Sequence, residues 1–171
     1  SNQSPHITKL IISDNMNAGG LRYGADFGIP AVAISLPDSV DKSQQRIMHE
    51  NFIHDTLIKY EIELVVLSGY MRILTPTFVS KWKGRLINIH PSLLPKYPGA
   101  HAHRDALADG AKMTGCTVHL VDEGVDTGEI IAQEEVEILD GDTIGELQER
   151  IKKIEHQLYP KVLDTFCSKG V

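Results

Sequence analysis

Residues 63–91 read ELVVLSGYMRILTPTFVSKWKGRLINIHP and alternate between apolar, strand-like runs and a helix-like segment. The run 63–68 predicts a buried strand, and 75–82 predicts a short helix. The run 86–89 predicts a second strand, which stops at Pro91 because proline has no N–H for a sheet ladder. A strand, a helix and a strand in succession indicate an α/β fold with crossover helices.

The rest of the chain continues this alternation. Further strands are predicted at 7–13, 31–35, 114–121 and 130–138, and further helices at 18–27 and 43–60. Residues 91–104 contain three prolines and predict a structured loop. The last helix begins at the capping box Thr143-x-x-Glu146, and we expect Pro160 to kink or interrupt it. One α/β domain over residues 1–171 is therefore predicted.

Composition excludes several classes of protein. Apolar residues make up 42% of the chain, and no apolar run is long enough to span a membrane. A net charge of −6 argues against a nucleic-acid partner. Cys116 and Cys167 are too few for a disulfide framework, so we expect a reducing, cytoplasmic location. Residues 122–155 are strongly acidic, which indicates either a solvated face or a site for an amine-bearing group.

Asn88 and His90 are the first candidate catalytic residues. Residues i and i+2 of a strand point to the same face, so this pair projects together at the end of a buried strand. Open α/β sheets bind ligands at that edge. The pair suits a reaction at a carbonyl, because Asn can donate to a developing oxyanion and His can move a proton near neutral pH. The alternative is a histidine with a structural hydrogen bond.

Asp126 is the third candidate, in the loop 122–128, which reads DEGVDTG. A carboxylate beside His90 would favour the cationic form of the imidazole. The alternative is an aspartate that holds a turn through its own side chain. His101 and His103 have a plausible metal-ligand spacing, but no carboxylate or cysteine joins them in the loop, so we expect no metal and place them in a cleft or in solvent.

These motifs resemble those of folate-dependent formyltransferases, in particular the phosphoribosylglycinamide (GAR) formyltransferase family. The similar stretches are NIHPSLLP at 88–95, DEGVDTG at 122–128, GYMRIL at 69–74, TGCTVH at 114–119 and Glu155-His156. The likeness extends over about residues 7–168. The His90-Pro91 pair favours the transferases over 10-formyltetrahydrofolate deformylases, which resemble His-His at this point.

The resemblance implies an enzyme that transfers the formyl group of 10-formyltetrahydrofolate to the glycinamide amine of GAR in purine biosynthesis. Asn88 would hold the formyl oxygen, and His90 would act as the general acid. Asp126 would keep His90 protonated and help to relay the proton of the amine through water. His119 matches a position that supports the site, although strand geometry alone would equally allow a core histidine.

The resemblance also implies the substrate-binding residues. The residues implied for folate are Arg46, Met71, Arg72, Ile73, Leu74, Asp122, Glu123, Gly124 and Val125. Lys152 and Glu155 are implied for GAR. Glu155 is the better candidate because a carboxylate can hold an ammonium or amine, whereas the family has glutamine where Lys152 stands. We expect small-molecule partners only, with no nucleic acid and no membrane, and a monomer or homodimer.

The fold that the resemblance implies is Rossmann-like. Its open, twisted sheet is mostly parallel, with helices on both faces and antiparallel strands toward the C-terminal half. The family's first strand and its G-x-G-S-N phosphate loop are missing before residue 7, so we expect an N-terminally incomplete domain in which Ser1-Asn2 could end that loop. A 10-formyltetrahydrofolate hydrolase and a catalytically silent folate-binding fragment remain open as alternatives.

Overall fold

The structure is a computed structural model that describes residues 4–38 and 41–170. The chain divides into two compact units, Ser4–Glu63 and the residues from Leu64 onward. The single domain over residues 1–171 stays a prediction. The phosphate-loop expectation for Ser1-Asn2 lies outside the described residues.

The first unit contains two strands and two helices. They are β1 (Ile11–Ser13), α1 (Gly20–Phe27), β2 (Ala31–Ala33) and α2 (Lys42–Lys59). β1 and β2 pair in parallel, with Ile12 opposite Val32. α1 ends at Gly28, whose φ of 67° is a left-handed value that glycine adopts without a Cβ penalty. α2 begins after Asp41, whose carboxylate accepts a hydrogen bond from the Ser43 N–H at 2.8 Å.

The second unit contains four strands and three helices. They are β3 (Val65–Val66), α3 (Pro76–Lys81), β4 (Leu86–His90), α4 (Ala102–Ala108), β5 (Met113–Leu120), β6 (Ile130–Glu137) and α5 (Ile144–Ser168). The strands form one sheet in the order β3-β4-β5-β6. β3 is parallel to β4, whereas β4 to β5 and β5 to β6 are antiparallel. The α/β class, the open sheet and the antiparallel C-terminal half are confirmed. Antiparallel pairing is more extensive than "mostly parallel" implies, because half of the described strand pairs have it.

The sequence missed α4. The loop predicted over 91–104 ends at His101, and α4 begins at the next residue, Ala102. That boundary was wrong because a helix of seven residues is too short to show a clear apolar period. α4 buries Ala102 and Ala106.

α5 continues as one helix through Pro160, so the predicted interruption is wrong. Proline removes the N–H that would bond the carbonyl of His156. Both residues are exposed, and water can therefore take the place of the lost donor. A kink at this position stays a prediction.

The start of α5 is held by two sets of polar contacts. The predicted capping box is confirmed: Thr143 Oγ1 accepts from the Glu146 N–H at 3.2 Å, and Glu146 Oε2 accepts from the Thr143 N–H at 2.8 Å. One residue earlier, Asp142 accepts two hydrogen bonds from Arg150 at 2.6 and 2.7 Å. The Arg150 guanidinium lowers the pKa of Asp142 to about 2.

α5 covers one face of the four-stranded sheet. Leu147 and Ile151 pack with Cys116 of β5 in one apolar cluster. Tyr159 packs with Ile87 of β4 in a second cluster. The Tyr159 hydroxyl lies 2.7 Å from the Leu67 carbonyl and 3.2 Å from the Ile87 carbonyl. The side chains that alternate with these residues along β4 and β5 therefore lie on the opposite face.

Two threonines of β5 give opposite predictions for stability. Thr114 is 2% exposed, and its hydroxyl has no hydrogen-bond partner in the described part of the chain. Thr117 Oγ1 donates to the Ser92 carbonyl at 2.7 Å and accepts from the Leu94 N–H at 3.1 Å. We expect Thr114→Val to raise the free energy of unfolding by about 1 kcal/mol, and Thr117→Val to lower it by about 2 kcal/mol. Urea denaturation of both variants measures the two effects, and equal losses would contradict the prediction.

Candidate active site

Asn88 and His90 lie on the face of the sheet that α5 does not cover. Their neighbour Ile87 belongs to the apolar cluster under α5, and Ile89 packs against that cluster. Alternation along β4 then directs the two polar side chains to the other face, as their spacing predicts. β4 is buried because α5 packs on its apolar residues, and the polar pair lies at its C-terminal end.

His90 is buried, and each of its ring nitrogens faces an oxygen. Nε2 donates a hydrogen bond to the main-chain carbonyl of Tyr97 at 2.9 Å. Nδ1 lies 3.4 Å from Oδ2 of Asp126. Because a carbonyl only accepts, Nε2 must carry a hydrogen. The contact of Nδ1 is longer than an ordinary hydrogen bond, so this nitrogen is held less tightly.

Asp126 bridges two histidines. Besides its contact with His90, its Oδ1 lies 3.7 Å from Nε2 of His119. Its Oδ2 also accepts a hydrogen bond from the Gly99 N–H at 2.8 Å. Asp126 has a φ of 54°, a left-handed value that Asp and Asn adopt more readily than other side-chain-bearing residues. The aspartate is therefore fixed by its backbone as well as by its partners.

His119 connects Asp126 to Asn88. It lies directly opposite Asn88 in the antiparallel β4–β5 pair and is 2% exposed. Its Nδ1 donates to the Leu120 carbonyl at 2.9 Å, which leaves Nε2 toward the site. Nε2 lies 3.5 Å from Nδ2 of Asn88. Asn88, His90, His119 and Asp126 thus form one cluster, to which we refer as the polar cluster.

The loop after β4 is hydrogen-bonded to the sheet. Thr117 Oγ1 bonds the Ser92 carbonyl and the Leu94 N–H of this loop. Nε2 of Gln133 donates both to Thr117 Oγ1 and to the Leu94 carbonyl, each at 2.9 Å. These contacts fix the course of the chain from His90 onward.

Two contacts of the polar cluster were not predicted from the sequence. The Tyr97 carbonyl and the Gly99 N–H are main-chain groups, and main-chain groups leave no residue-specific signal. Gly99 has a φ of 87°, and a glycine directly after a proline in a predicted loop was the one hint available.

The loop 121–129 folds back so that Asp126 reaches the sheet. Asp122 Oδ1 accepts from the Gly124 N–H at 3.0 Å and from Thr127 Oγ1 at 2.7 Å, which closes a tight turn. Gly128 has no room for a side chain, because a Cβ there would lie 1.7 Å from the Leu120 carbonyl oxygen. Gly128 is thus required by a close backbone contact, whereas a Cβ at Gly124 would meet the Thr127 side chain.

The residues predicted for folate are mostly solvent-accessible. Three large apolar side chains stand out, with exposed fractions of 74% for Met71, 62% for Ile73 and 50% for Val125. Leu74 is half-buried. The remaining predicted residues are exposed, and they are Arg46, Arg72, Asp122, Glu123 and Gly124. Arg46 belongs to α2 in the first unit. Residues 69–74 follow the C-terminal end of β3, the parallel neighbour of β4.

The residues predicted for GAR lie apart from the polar cluster. Lys152 is exposed and Glu155 is half-buried on α5, which packs on the face of the sheet opposite to His90. Burial raises the pKa of Glu155, and the charge of Lys152 offsets part of that effect.

Cys116 is not a reactive thiolate. Burial, followed by the charges of Glu155 and Glu134, raises the pKa of its thiol to about 12.

His103 is half-buried, and its pKa is lowered by burial and, to a smaller extent, by the charge of His90.

Among residues 4–38 and 41–170, no group of three or more His, Cys, Asp or Glu side chains could hold a metal ion. Within the same residues, no helix is long and apolar enough to cross a membrane.

The comparisons with known proteins agree on one family. The model of the family described as "Formyl transferase" matches residues 1–163. Phosphoribosylglycinamide formyltransferase of Bacillus subtilis is 42% identical over 154 residues, which cover 90% of this chain and 77% of that protein. The crystal structure of phosphoribosylglycinamide formyltransferase from Bacillus halodurans superposes with a TM-score of 0.87 at 40% identity, covering 99% of this chain and 85% of that one.

A second group of relatives is much longer. The trifunctional purine biosynthetic protein adenosine-3 of Chironomus tentans is 48% identical over 159 residues, which cover 93% of this chain. The chain spans only 11% of that protein's length. The similarity to the trifunctional proteins therefore concerns one segment of them.

Proposed function

The chain belongs to the formyl transferase family, and on that premise we propose that it transfers the formyl group of 10-formyltetrahydrofolate to the glycinamide amine of GAR. The products would be formyl-GAR and tetrahydrofolate, in purine biosynthesis. The polar cluster carries the proposal, because it joins an amide, a carboxylate and two imidazoles on one sheet face beside solvent-accessible loops. Cys116 forms no disulfide, which is compatible with the cytoplasmic location that stays a prediction.

The chemistry requires two proton movements. The attacking amine loses a proton while N10 of the folate gains one. The formyl oxygen gains negative charge in between, and a fixed N–H donor stabilises that charge. The polar cluster contains both kinds of group.

Each residue of the cluster has a distinct role in this proposal. Asn88 donates one N–H of its amide to the formyl oxygen, and Nε2 of His119 contacts the same amide nitrogen at 3.5 Å. His90 supplies a proton from Nδ1, since the Tyr97 carbonyl occupies Nε2. Asp126 stabilises the cationic ring and accepts the proton of the amine through water.

The loops around the cluster fit a folate. A pteridine is flat and largely apolar, with hydrogen-bonding groups along its edges, so it requires apolar walls and main-chain partners. Met71, Ile73 and Val125 are large apolar side chains left uncovered, and they lie on loops that also present main-chain groups. We propose these loops as the folate-binding residues, and the role of Arg46 stays a prediction.

Glu155 and Lys152 remain the proposed GAR ligands. A half-buried carboxylate without a salt bridge in the described part of the chain suits the hydroxyl or amine groups of a sugar-linked substrate. Their position on α5 means that GAR would have to reach around the end of β4 toward His90.

The raised pKa of Glu155 gives a prediction for stability. A carboxyl whose pKa is higher in the folded than in the unfolded state costs stability once it is charged. The free energy of unfolding should therefore fall as the pH rises from the ordinary glutamate value through the raised one. Glu155→Gln should remove that fall and raise the KM for GAR by about tenfold. Denaturation curves at several pH values and a GAR titration measure the two effects.

Glu149→Gln is the matched control, because Glu149 is exposed on the same helix. It should leave both the pH dependence and the KM for GAR unchanged. If Glu155→Gln behaved like Glu149→Gln, Glu155 would be neither desolvated nor a GAR ligand.

A spectrophotometric assay of 10-formyl-folate consumption, with and without GAR, tests the proposed reaction. Consumption that depends on GAR supports the transferase. Equal consumption without GAR would replace it with a hydrolase. Folate binding without consumption under either condition would favour a catalytically silent folate-binding protein.

A further inference from the structure

Residues Tyr97 to Gly99 contact both members of the His90–Asp126 pair. The Tyr97 carbonyl accepts from Nε2 of His90 at 2.9 Å, and the Gly99 N–H donates to Oδ2 of Asp126 at 2.8 Å. One short segment thus anchors the far side of the imidazole and one oxygen of the carboxylate. Any shift of this segment would loosen both.

The backbone of this segment requires support. Tyr97 has a φ of 52°, in the left-handed region that is sterically unfavourable for a residue with a Cβ. Such a conformation persists only where surrounding contacts hold it, and these positions are concentrated at functional sites. The contacts of the Tyr97 side chain therefore show what holds the backbone of this segment in place.

The Tyr97 side chain has two such contacts. Its ring packs against the apolar cluster that contains Ala106 and Cys116. Its hydroxyl donates to Oδ2 of Asp109, at the C-terminal end of α4, at 2.5 Å. This hydrogen bond is the main reason why the pKa of Tyr97 is raised, so the hydroxyl stays protonated and remains a donor.

We propose that Tyr97 is a positioning residue for His90. The Tyr97–Asp109 hydrogen bond holds the Tyr97 carbonyl against Nε2, which keeps the hydrogen on that nitrogen and leaves Nδ1, 3.4 Å from Asp126, as the nitrogen that faces the reaction. The predicted effect of Tyr97 on turnover rests on the proposed formyl transfer. The predicted effect of Tyr97 on the His90 ring does not depend on that reaction.

Tyr97→Phe tests the proposal in the full-length protein, because it keeps the ring and removes only the hydroxyl. Histidine labelled with ¹⁵N reports the tautomer by NMR, and His90→Gln identifies the His90 signals among the eight histidines. The parent should show a protonated Nε2. In Tyr97→Phe, the two ring signals should move toward the average of the two tautomers. The kcat should fall about tenfold, with both KM values within about twofold.

Asp109 and Tyr23 provide the matched variants. Asp109→Ala should reproduce the Tyr97→Phe effects, and the double variant should add nothing further, because both remove one interaction. Asp109→Asn keeps an acceptor oxygen and should restore most of the kcat. Tyr23→Phe, at an exposed tyrosine of α1, should change neither the ring signals nor the kcat.

The readouts separate this inference from the proposed function. Unchanged His90 signals in Tyr97→Phe would overturn the inference, and so would a lower Tm with unchanged signals and kcat. Shifted signals in a protein that transfers no formyl group to GAR would uphold the role of Tyr97 and refute the proposed reaction.

Discussion

His90→Ala should lower the kcat for formyl transfer by about 1,000-fold, while the affinity for folate stays nearly the same. The His90 imidazole is hydrogen-bonded on one side and more loosely held on the other, at 2.9 and 3.4 Å. The ring can therefore give up a proton from Nδ1 while Nε2 stays hydrogen-bonded to the Tyr97 carbonyl. The exposed apolar side chains proposed for folate, Met71, Ile73 and Val125, are not among the polar partners of this ring, so binding and turnover should separate. Single-turnover kinetics and a folate titration measure the two quantities.

Removal of a buried side chain can also unfold a protein, so His90→Gln accompanies the alanine variant. Glutamine keeps polar atoms near the Tyr97 carbonyl and should lose turnover to a similar extent. His156→Ala is the matched control, because His156 is exposed on α5. A loss of folate affinity with unchanged turnover per bound complex would show that His90 binds folate and does not transfer a proton.

Asp126→Asn should lower the kcat by about 100-fold or more. The carboxylate contacts both His90 and His119 and accepts the Gly99 N–H. Asparagine has the same shape and tolerates the φ of 54°, so the backbone of the loop is preserved. The change therefore removes the negative charge and replaces one acceptor oxygen with a donating NH2 group, while the shape of the side chain is kept. The dependence of kcat on pH should also change, because the partner that favours the cationic histidine is removed.

Asp140→Asn is the control for a lost surface carboxylate. Asp140 forms an exposed ion pair with Lys112, and such pairs contribute little to stability. It should leave the kcat and its pH profile unchanged. A kcat for Asp126→Asn within a few-fold of the parent would reduce Asp126 to a residue that shapes the loop.

The sequence predicted the parts of the fold whose signals are local. The period of α5, its capping box and the apolar runs of β4 and β5 each lie within a few neighbouring residues. α4 was missed because a short helix bounded by a loop has too few residues for a period. The behaviour of Pro160 depended on solvent exposure, which the local pattern does not contain.

The candidate site was predicted unevenly for a similar reason. The spacing of Asn88 and His90 on one strand already places them on one face. The approach of Asp126 depends on how the loop 121–129 folds back, and strand spacing alone does not specify that path. The Tyr97 carbonyl is a main-chain group, and only the three-dimensional structure reveals its contact with His90.

The fate of the formyl carbon tests the proposed function most directly. The full-length protein is incubated with GAR and 10-formyltetrahydrofolate carrying ¹³C in the formyl group, and the labelled products are followed by NMR. The proposal predicts that the label appears on the amine of GAR in amounts equal to the tetrahydrofolate formed. Label released as formate, or retained on the folate in the presence of GAR, would contradict it.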